Sequence, residues 1–362
     1  EKCRLADVCS FFSGGTPSSS NKDFYGGNIP FIRSGELHKE ETELFITQSG
    51  YENSSAKMVE VGDLLLAMYG ATSGDVAISK IKGAINQAIL CIRTKHNNKF
   101  IESVWNKHVS KILVKYLQGG QGNLSADIVK RISFSLPSLA EQKKISHLMQ
   151  LIDVRIATQN KIIGKLQSLI KGIVDCTILR KEKNAIVGDV CSISEQIRAE
   201  ANIDDIITVR LHGKGVCKSS AENLQLGATQ YYRRRAGQLI YGKQNFHNGA
   251  IGIVPISLDN GITSKDIPSF DIDEMKCNSV YLLAQLQSPQ YYKPAEALTT
   301  GTGSKRLKEE TFLKMPIVLP NKREQDNIAV LIHRVSMNLG HAKKLLELLS
   351  IQKQFLLRQM FI

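Results

Sequence analysis

The stretch SFSLPSLAEQKKI, Ser133 to Ile145, has a second version late in the chain, PIVLPNKREQDNI, Pro316 to Ile328. Both versions carry Leu-Pro, then three residues, then Glu-Gln, then two residues and Ile. Pro320 follows Pro137 by 183 residues in a chain of 362. A mark repeated at half the chain length indicates an internal duplication.

Three further pairs of matching segments extend the duplication along both halves. They are DVCS at Asp7 and again at Asp189, VGDLLLAMYG at Val61 with AGQLIYGKQN at Ala236, and the glycine-rich loops QGGQGNLS at Gln118 and GTGSKRLK at Gly301. Each half therefore reads as an opening strand, a variable body, a hairpin, a glycine-rich loop, the Leu-Pro mark and a helix. The offset changes between pairs, which indicates insertions in two diverged bodies.

The residues after each Leu-Pro mark predict the start of a helix. Ser138 and Asn321 stand where an N-cap belongs, and Glu141 and Glu324 follow three residues later, as in a capping box. The first helix would continue to about Lys181, a length of roughly 65 Å.

Apolar residues then recur in a heptad pattern on both helices. Steps of three and four residues predict a helix-pair interface made of Ile145, Leu148, Ile152, Leu166, Leu169, Ile328, Leu331, Val335, Leu345 and Leu349. A stripe of this length needs a partner, so we expect the helices to pack antiparallel as a coiled coil. The pair would act as a spacer between two similar bodies.

The bodies mix strand and helix signals. GDLLLAMYG, GDVAISKI and GAINQAILCI predict strands linked by glycine turns, and Phe100 to Leu117 predicts a helix ending at Gly119-Gly120. The second-half counterpart of that helix, SVYLLAQLQSPQYYKPAEAL, is interrupted near Pro289. The predicted fold class is α+β, with a mixed sheet plus helices in each body.

The composition favours a folded protein with an acidic partner. The net charge is +13 and the pI about 9.3, and the basic excess is spread over both halves. Such an excess favours nucleic acid or an acidic protein as partner. Seven cysteines without CxxC or Cys/His metal spacing favour reduced thiols in a cytoplasmic protein. The longest apolar runs are far too short to span a bilayer.

The sequence lacks the common catalytic motifs. It has no HExxH, GxSxG, Walker A or Rossmann fingerprint, and GTGSKR at Gly301 lacks the order of a phosphate loop. Glu274-Met275-Lys276 after Asp271 has a nuclease-like spacing, but such triplets are common by chance in a charged chain. We therefore expect no enzyme activity, no catalytic residues and no metal site in this chain.

Polar loops and arginines point instead to DNA contact. Arginine reads guanine bidentately and clamps phosphate, and glycine loops let backbone N–H groups approach phosphates. The predicted DNA-binding residues are Arg33, Ser34, Tyr69, Thr72, Ser73, Gln121, Asn123, Arg210, Tyr231, Tyr232, Arg233, Arg234, Arg235, Lys243, Asn245, His247, Asn248, Lys305 and Arg306. Structural roles remain open as alternatives to DNA contact for these residues, namely charged strand edges, ordinary turns, loops that end helices, and arginines paired with acidic neighbours.

Together these segments resemble the specificity subunit of type I restriction–modification systems. The resemblance is carried by SGGTPSSSNKDFYGGNIPFIRSGEL, GDLLLAMYGATSG, GGQGNLSADIVKRISFSLPSLAEQKKI, GTGSKRLKEETFLKMPIVLPNKREQDNI and the closing LLRQMFI. It covers essentially the whole chain. The doubled Leu-Pro…Glu-Gln element is its most specific part.

The resemblance implies two target-recognition domains, residues 1–137 and 185–320, and two long helices, residues 138–184 and 321–362. Each domain would read one half of a bipartite, asymmetric site on double-stranded DNA. Two methyltransferase subunits would dock along the helices, and motor or endonuclease subunits would join them. S-adenosylmethionine, ATP and Mg²⁺ would belong to those partners.

A second class of function stays open from the sequence, that of a coiled-coil structural adaptor whose two basic bodies bind RNA or acidic proteins. For the DNA reader, a spacer shorter than ~65 Å limits the gap between half-sites to under roughly 19 base pairs, at ~3.4 Å per pair.

Overall fold

The computed structural model describes residues 2–117, 124–219, 229–301 and 305–361. The chain divides into two compact units. Unit 1 contains Glu1–Asn160 and Lys344–Ile362, and unit 2 contains Lys161–Lys343. Each long helix therefore contributes one end to each unit.

Among its described residues, unit 1 has two four-stranded sheets and a long body helix. Its strands are Lys2–Arg4 (β1), Cys9–Ser13 (β2), Tyr25–Ile32 (β3), Phe45–Ile46 (β4), Lys57–Val59 (β5), Leu64–Ala67 (β6), Val76–Ile78 (β7), Gly83–Ile85 (β8), Ile89–Thr94 (β9) and Ser133–Ser135 (β10). Its helices are Leu5–Val8 (α1), Gln48–Glu52 (α2), Asn98–Leu117 (α3), Ala126–Lys130 (α4) and the first part of Leu139–Val174 (α5). The sheet orders are β2-β9-β6-β7 and β4-β3-β8-β5, with β1 and β10 paired separately.

Strand β6 shows why this sheet needs an apolar run. Leu64 and Leu66 join the cluster around Trp105 of α3, whereas Leu65 and Ala67 join the cluster that contains strands of the second sheet. A strand buried on both faces has apolar residues at every position, because neighbouring side chains point to opposite faces.

The described part of unit 2 has a corresponding main sheet and smaller side sheets. Its strands are Ala185–Ile186 (β11), Cys191–Ile193 (β12), Arg198–Ala199 (β13), Ile207–Val209 (β14), Val216–Lys218 (β15), Tyr231–Arg233 (β16), Leu239–Tyr241 (β17), Ile251–Ile253 (β18), Ile262–Ser264 (β19), Ser269–Ile272 (β20) and Pro316–Ile317 (β21). Its helices are the last part of α5, Ser279–Leu286 (α6), Pro289–Tyr292 (α7), Glu309–Leu313 (α8) and the first part of Lys322–Met360 (α9). The sheet orders are β12-β20-β17-β18, β13-β16-β19, β14-β15 and β11-β21.

The sheets confirm the duplication. The order β2-β9-β6-β7 in unit 1 matches β12-β20-β17-β18 in unit 2, strand for strand and in antiparallel pairing. The pair β1-β10 likewise matches β11-β21. The sequence alignment of Val61 with Ala236 is also confirmed, because β6 and β17 follow them in equivalent places.

The glutamine of the Leu-Pro…Glu-Gln motif is buried and has the same structural role in both units, which explains why the motif occurs twice. Gln142 is 1% exposed, and its amide donates to the Pro137 carbonyl at 2.9 Å while its oxygen accepts from the Asn97 N–H at 3.3 Å. Its amide also lies 3.3 Å from His96 Nδ1. The side chain of Asn97 in turn accepts from the N–H of Phe100 in the first turn of α3. This glutamine therefore joins the start of the long helix to the start of the body helix.

Gln325 makes the same joint in unit 2. It is also 1% exposed, donates to the Pro320 carbonyl at 2.8 Å and accepts from the N–H of Asn278, the N-cap of α6, at 2.9 Å. It donates in addition to the Lys276 carbonyl at 3.1 Å. The hydrogen bonds that the two joints share are made with backbone atoms, which every body sequence can supply.

The predicted helix starts are close to those observed. The Ser138 N–H donates to the Glu141 carboxylate at 3.0 Å and the Glu141 N–H donates to Ser138 Oγ at 3.3 Å, which completes a capping box. Asn321 accepts from the N–H of Glu324, although the Glu324 carboxylate pairs with Lys181. Helix α5 is shorter than predicted, because it ends as an α-helix at Val174 and continues as a π-helical turn over Asp175–Leu179.

The two long helices run antiparallel within each unit. In unit 1, Met149 and Ile152 near the start of α5 share a core cluster with Leu357 near the end of α9. In unit 2, Val174 at the end of α5 shares a cluster with Ile332 near the start of α9. Start meets end in both units, as predicted.

The predicted helix-pair interface is partly wrong. At alternate positions the residue that faces inward is the one after the predicted residue, for example Met149 instead of Leu148. Of the predicted residues, four are 38–50% exposed, and they are Leu148, Leu169, Leu331 and Leu345. The less exposed positions follow steps of four and then three, and they are Ile145, Met149, Ile152, Ile156, Ile328, Ile332, Val335, Leu339, Ala342, Leu346 and Leu349. Leu166 is half-buried, in agreement with the prediction. Packing against the bodies favours this inner stripe, and each helix keeps an exposed second stripe.

None of the seven cysteines, all of which lie within the described ranges, forms a disulfide. Cys91, Cys191 and Cys277 are buried, and burial raises the pKa of each to about 12. A thiol held protonated in this way is unreactive. Within the described ranges, no helix is long and apolar enough to cross a membrane.

Candidate nucleic-acid interface

The loop after β17 in unit 2 is fastened to the end of the glycine-rich loop. The Leu307 N–H donates to the Lys243 carbonyl at 2.9 Å, and the Lys243 N–H donates to the Asp266 carbonyl at 2.9 Å. Arg306 also reaches the Asp266 carboxylate at 3.4 Å. Two predicted loops, one carrying Lys243 and Asn245 and the other ending in Arg306, therefore lie side by side.

Unit 1 repeats this junction. The Leu124 N–H donates to the Met68 carbonyl at 3.1 Å, at the place where the glycine-rich loop ends. In the loop that follows, Tyr69 is 39% exposed, and Thr72 and Ser73 are half-exposed. Ser73 Oγ donates to the Met68 carbonyl at 3.2 Å, so this hydroxyl also holds the turn. The loop is thus partly available to a ligand.

Two contacts from outside the loop brace it. Trp105 of α3 donates to the Gly74 carbonyl at 2.8 Å. His38, which the sequence does not single out, lies 2.9 Å from the Asp75 carboxylate and ties the segment after β3 to this loop. The remaining predicted residues of this region lie outside the described residues, and they are Gln121 and Asn123.

A second turn joins the polar loop of unit 2. The His212 N–H donates to the Asn248 carbonyl at 2.8 Å, and the Gly213 N–H donates to the Gly249 carbonyl at 2.9 Å. Gly249 has φ +75°, and a Cβ there would lie 2.9 Å from the Tyr292 ring and 3.0 Å from the Gly213 nitrogen. Glycine is required at this close approach.

The joined turns bring together several predicted residues. Arg210 is exposed at the base of the second turn, where its Nε donates to Cys217 Sγ at 3.0 Å. Asn245 is exposed, and His247 and Asn248 are half-buried beside it. Asn248 Nδ2 donates to Asn245 Oδ1 at 3.2 Å, so the amides are held in position before any ligand arrives.

The arginine run 233–235 separates into an interior residue and two surface residues. Arg234 is 0% exposed and donates to Thr263 Oγ1, Ser269 Oγ and the Ile267 carbonyl at 2.7–3.0 Å. Burial lowers its pKa to about 10, which leaves it charged at neutral pH. The prediction that Arg234 contacts DNA is therefore wrong, because its guanidinium is enclosed and hydrogen-bonded inside the body.

The two aromatics of the same run are also less available than the sequence suggests. Tyr231 is 7% exposed and belongs to a small core cluster with Ile262. Tyr232 is half-buried, and its ring lies 5.7 Å from the Arg234 guanidinium. Both rings therefore pack mainly within the protein rather than standing free beside the surface arginines.

Acidic neighbours pair several of the predicted cations. Arg33 pairs with Glu36 at 3.1 Å and with Glu43 at 3.2 Å. Glu36 is 3% exposed, and although burial by itself raises its pKa, the hydrogen bonds led by Arg33 hold that pKa at about 2. Arg33 is therefore paired with acidic neighbours, which is the alternative to DNA contact that the sequence left open. Ser34 is half-buried in the turn between these residues.

The cations of the unit 2 loops differ in the same respect. The Lys243 side chain is 12% exposed and pairs with Glu309 at 2.6 Å, and exposed Lys305 pairs with Glu296 at 3.3 Å. Three predicted cations are exposed and form no ion pair with a residue that the structure describes, and they are Arg210, Arg233 and Arg235. They are the candidates best placed to meet a phosphate or a base edge.

Arg233 borders two open grooves that also carry acidic residues. The larger groove, of about 690 Å³, is lined by Arg233, Arg198 and Lys218 together with Asp204 and Asp205. The smaller one, of about 360 Å³, is also lined by Arg235. Nothing in their local sequence distinguishes Arg198 and Lys218. The carboxylates make the larger groove a poor seat for a phosphate backbone, so the candidate contacts are the arginines at its rim.

Two residues of the segment with nuclease-like spacing, Asp271 and Lys276, have other partners. Gln238 donates to the Asp271 carboxylate at 2.9 Å, and Lys276 pairs with Asp273 at 3.3 Å. Among the residues that the structure describes, no three His, Cys, Asp or Glu side chains are grouped to hold a metal ion.

This chain is similar to known proteins in both sequence and fold. Residues 1–168 match the family model described as the type I restriction modification DNA specificity domain. The chain is 20% identical to the MjaVIII specificity subunit of Methanocaldococcus jannaschii, over 91% of this chain and 84% of that protein. The chain is therefore similar to type I restriction–modification specificity subunits along most of its length.

Solved structures of type I specificity subunits share the fold. The type I restriction–modification S subunit from M. genitalium has a TM-score of 0.65 at 12% identity, over 100% of this chain and 96% of that one. A chain from a structure of type I restriction–modification complex assembly and conformational transition has a TM-score of 0.57 at 12% identity, over 99% and 96% of the two chains. The duplicated α+β architecture with two long helices is therefore that of type I specificity subunits.

Proposed function

We propose that this chain is the non-catalytic DNA-recognition subunit of a type I restriction–modification complex, and that each body reads one half of a bipartite, asymmetric target on double-stranded DNA. The observation that carries the proposal is the loop junction built twice, at Met68–Leu124 and at Lys243–Leu307. A common frame presents different side chains in the two units. Two half-sites of different sequence follow from that difference.

The helices would set the gap between the half-sites. Helix α5 has 36 residues, or about 54 Å at about 1.5 Å per residue. Each long helix contributes to both units, which supports a spacer role. A span of that length limits the gap to roughly 16 base pairs at ~3.4 Å per pair.

The exposed second stripe supports docking of two copies of one partner. Three pairs of exposed apolar residues recur at the repeat offset of 183 residues, and they are Leu148 with Leu331, Val154 with Met337, and Ile162 with Leu345. A surface that occurs twice on a pseudo-symmetric helix pair suits two identical partners, which we assign as methyltransferase subunits. Motor or endonuclease subunits would add to that assembly, and S-adenosylmethionine, ATP and Mg²⁺ would be bound by these partners in the cytoplasm.

Methylation mapping tests the proposal directly. The chain is co-expressed with the methyltransferase encoded beside it, and host DNA is sequenced by a method that detects modified bases. We expect a bipartite motif with a fixed gap that disappears when this chain is omitted. Absence of a motif, with the methyltransferase shown to be active, would instead favour the adaptor that binds RNA or acidic proteins.

Two exposed arginines provide a local test of the recognition surface. The double variant Arg233→Ala/Arg235→Ala is expected to bind target DNA more weakly and to flatten the dependence of affinity on salt, by a log–log slope of about 0.9 for each phosphate that it no longer binds. The control Lys143→Ala/Lys144→Ala removes two exposed charges from α5 and should leave affinity and slope nearly unchanged. Equal losses of affinity in the two variants would show an effect of net charge alone and remove the arginines from the interface.

Paired heptad insertions test the spacer. Seven residues added after Asn160 in α5 and seven after Lys343 in α9 preserve the packing register. We expect the gap in the methylated motif to grow by roughly 3 base pairs, from about 1.5 Å per residue and ~3.4 Å per pair. A methylated motif with an unchanged gap would contradict the spacer role.

A further inference from the structure

Four charged residues of unit 1 form a network that crosses three helices. Lys99 and Glu102 lie on α3, Asp153 on α5 and Lys353 on α9. Asp153 pairs with Lys99 at 2.7 Å and with Lys353 at 2.6 Å, and Lys99 also pairs with Glu102. The side chains are 10–29% exposed and the four formal charges cancel.

The repeat gives each of these residues a counterpart in unit 2. The equivalent joints at Asn97 and Asn278 set an offset of 181 residues for the body helices, and the long helices follow the offset of 183. The counterparts of Lys99, Glu102, Asp153 and Lys353 are then Val280, Leu283, Ser336 and Ile170. All four counterparts line a single groove of about 600 Å³, to which Lys171 and Asp175 add charges that cancel. The place that is ionic in unit 1 thus holds four uncharged side chains in unit 2.

Because the two long helices are similar, two other pairings compete with that of α5 and α9, namely α5 with α5 of a second chain and α9 with α9 of a second chain. In the antiparallel pair, Asp153 faces Lys353. If α5 paired with α5 of a second chain in the same register, Ile170 would take the place of Lys353. Lys99, Glu102 and Asp153 would then keep a net charge of −1 in a partly buried site, with no lysine at that place on the opposite helix.

The other wrong combination leaves cations without a partner. If α9 paired with α9 of a second chain, Lys353 would enter the groove beside Val280 and Leu283. Asp175 would leave the groove together with α5, and Arg358, its counterpart at the offset of 183, would take its place. None of the other described residues that line this groove is a carboxylate. The two cations would lose solvent without gaining an ion pair there.

We propose that the network directs α5 to pair with α9 of its own chain and opposes exchange of like helices with a second copy of this chain. The selectivity comes from the contrast between the units: the ionic site favours Lys353, and the apolar groove favours Ile170. This proposal is independent of which DNA sequence, if any, the bodies read.

Refolding of the full chain tests the proposal from two directions. The first variant, Lys99→Val/Glu102→Leu/Asp153→Ser/Lys353→Ile, gives unit 1 the residues of unit 2. The second, Ile170→Lys/Ser336→Asp, gives unit 2 the helix pair of unit 1. Each variant makes the two helices equivalent at this site. Each is unfolded in denaturant, refolded at a series of chain concentrations and measured by sedimentation velocity, with helix content checked by circular dichroism.

We expect the unmodified chain to refold as a monomer at all concentrations, and the variants to form dimers in a proportion that increases with concentration. Dimers from either variant with native helix content support the proposal. Monomers from every variant that regains native helix content overturn it. Concentration-dependent dimers of the unmodified chain, detected as mixed species when two differently tagged samples are refolded together, also overturn it, and this measurement decides alone if neither variant folds.

Discussion

Removing Gln325 tests the joint between body helix and long helix. Gln325 is 1% exposed, and its amide group makes three hydrogen bonds of 2.8–3.1 Å, to the Pro320 and Lys276 carbonyls and from the Asn278 N–H. Each such bond contributes about 1 kcal/mol net, so Gln325→Ala is expected to lower the free energy of opening this joint by about 3 kcal/mol. Gln325→Glu should be more destabilising, because its carboxylate would face two carbonyl oxygens.

Amide hydrogen exchange followed by mass spectrometry measures this joint separately from the rest of the chain. About 3 kcal/mol corresponds to roughly a hundredfold loss of protection in the first turns of α6. Gln142→Ala should act in the same way on α3 and leave α6 unchanged. The control is Gln352→Ala, an exposed glutamine on α9, for which we expect a change within about 0.5 kcal/mol. Equal protection of α6 in Gln325→Ala and Gln352→Ala would refute the role given to the repeated glutamine.

Three further predictions concern acid stability, capping and the buried arginine. The pKa of Glu36 is about 2 in the folded chain and about 4.3 in the unfolded chain. The stability that Glu36 gives unit 1 is therefore present above the unfolded pKa and disappears as pH falls towards 2. Glu36→Gln should reduce this loss of stability at acid pH, measured by urea titrations at several pH values. Ser138→Ala should cost about 1 kcal/mol through loss of the capping box, measured by urea unfolding against Gln150→Ala, an exposed position on the same helix that should change little. Arg234→Met should destabilise unit 2 by about 3 kcal/mol and Arg233→Ala by less than about 0.5 kcal/mol in thermal unfolding; equal shifts would contradict the burial argument.

The parts of the fold that sequence predicts correctly are those that local residues encode. The capping box at Ser138 and the third strand of each main sheet depend on residues close together in the chain, and the duplication is visible because short segments of this kind occur twice. The choice between the two stripes on each long helix does not. Leu148 and Met149 are both apolar, and only packing against the body decides that Met149 faces inward while Leu148 stays exposed.

The candidate site is harder to predict because its decisive contacts are distant in sequence. Lys243 is neutralised by Glu309, and Arg234 is enclosed by Thr263 and Ser269, all from other elements. A run of three arginines has the same letters whether its side chains face solvent or the interior. Each loop junction, in contrast, joins two loops of one unit, and the duplication gives both of these loops a counterpart in the other unit.

The joints at Gln142 and Gln325 have a consequence for how such chains change over generations. The partners that both joints share are the carbonyl of the proline in the helix-start mark and an N–H at the start of the body helix. A glutamine that reads main-chain atoms is indifferent to most side chains of the body it holds. Gene recombination at the two marks would therefore exchange one body for another while the fastening stays intact, so that a chain with a new body arises in a single event from parts that already fold.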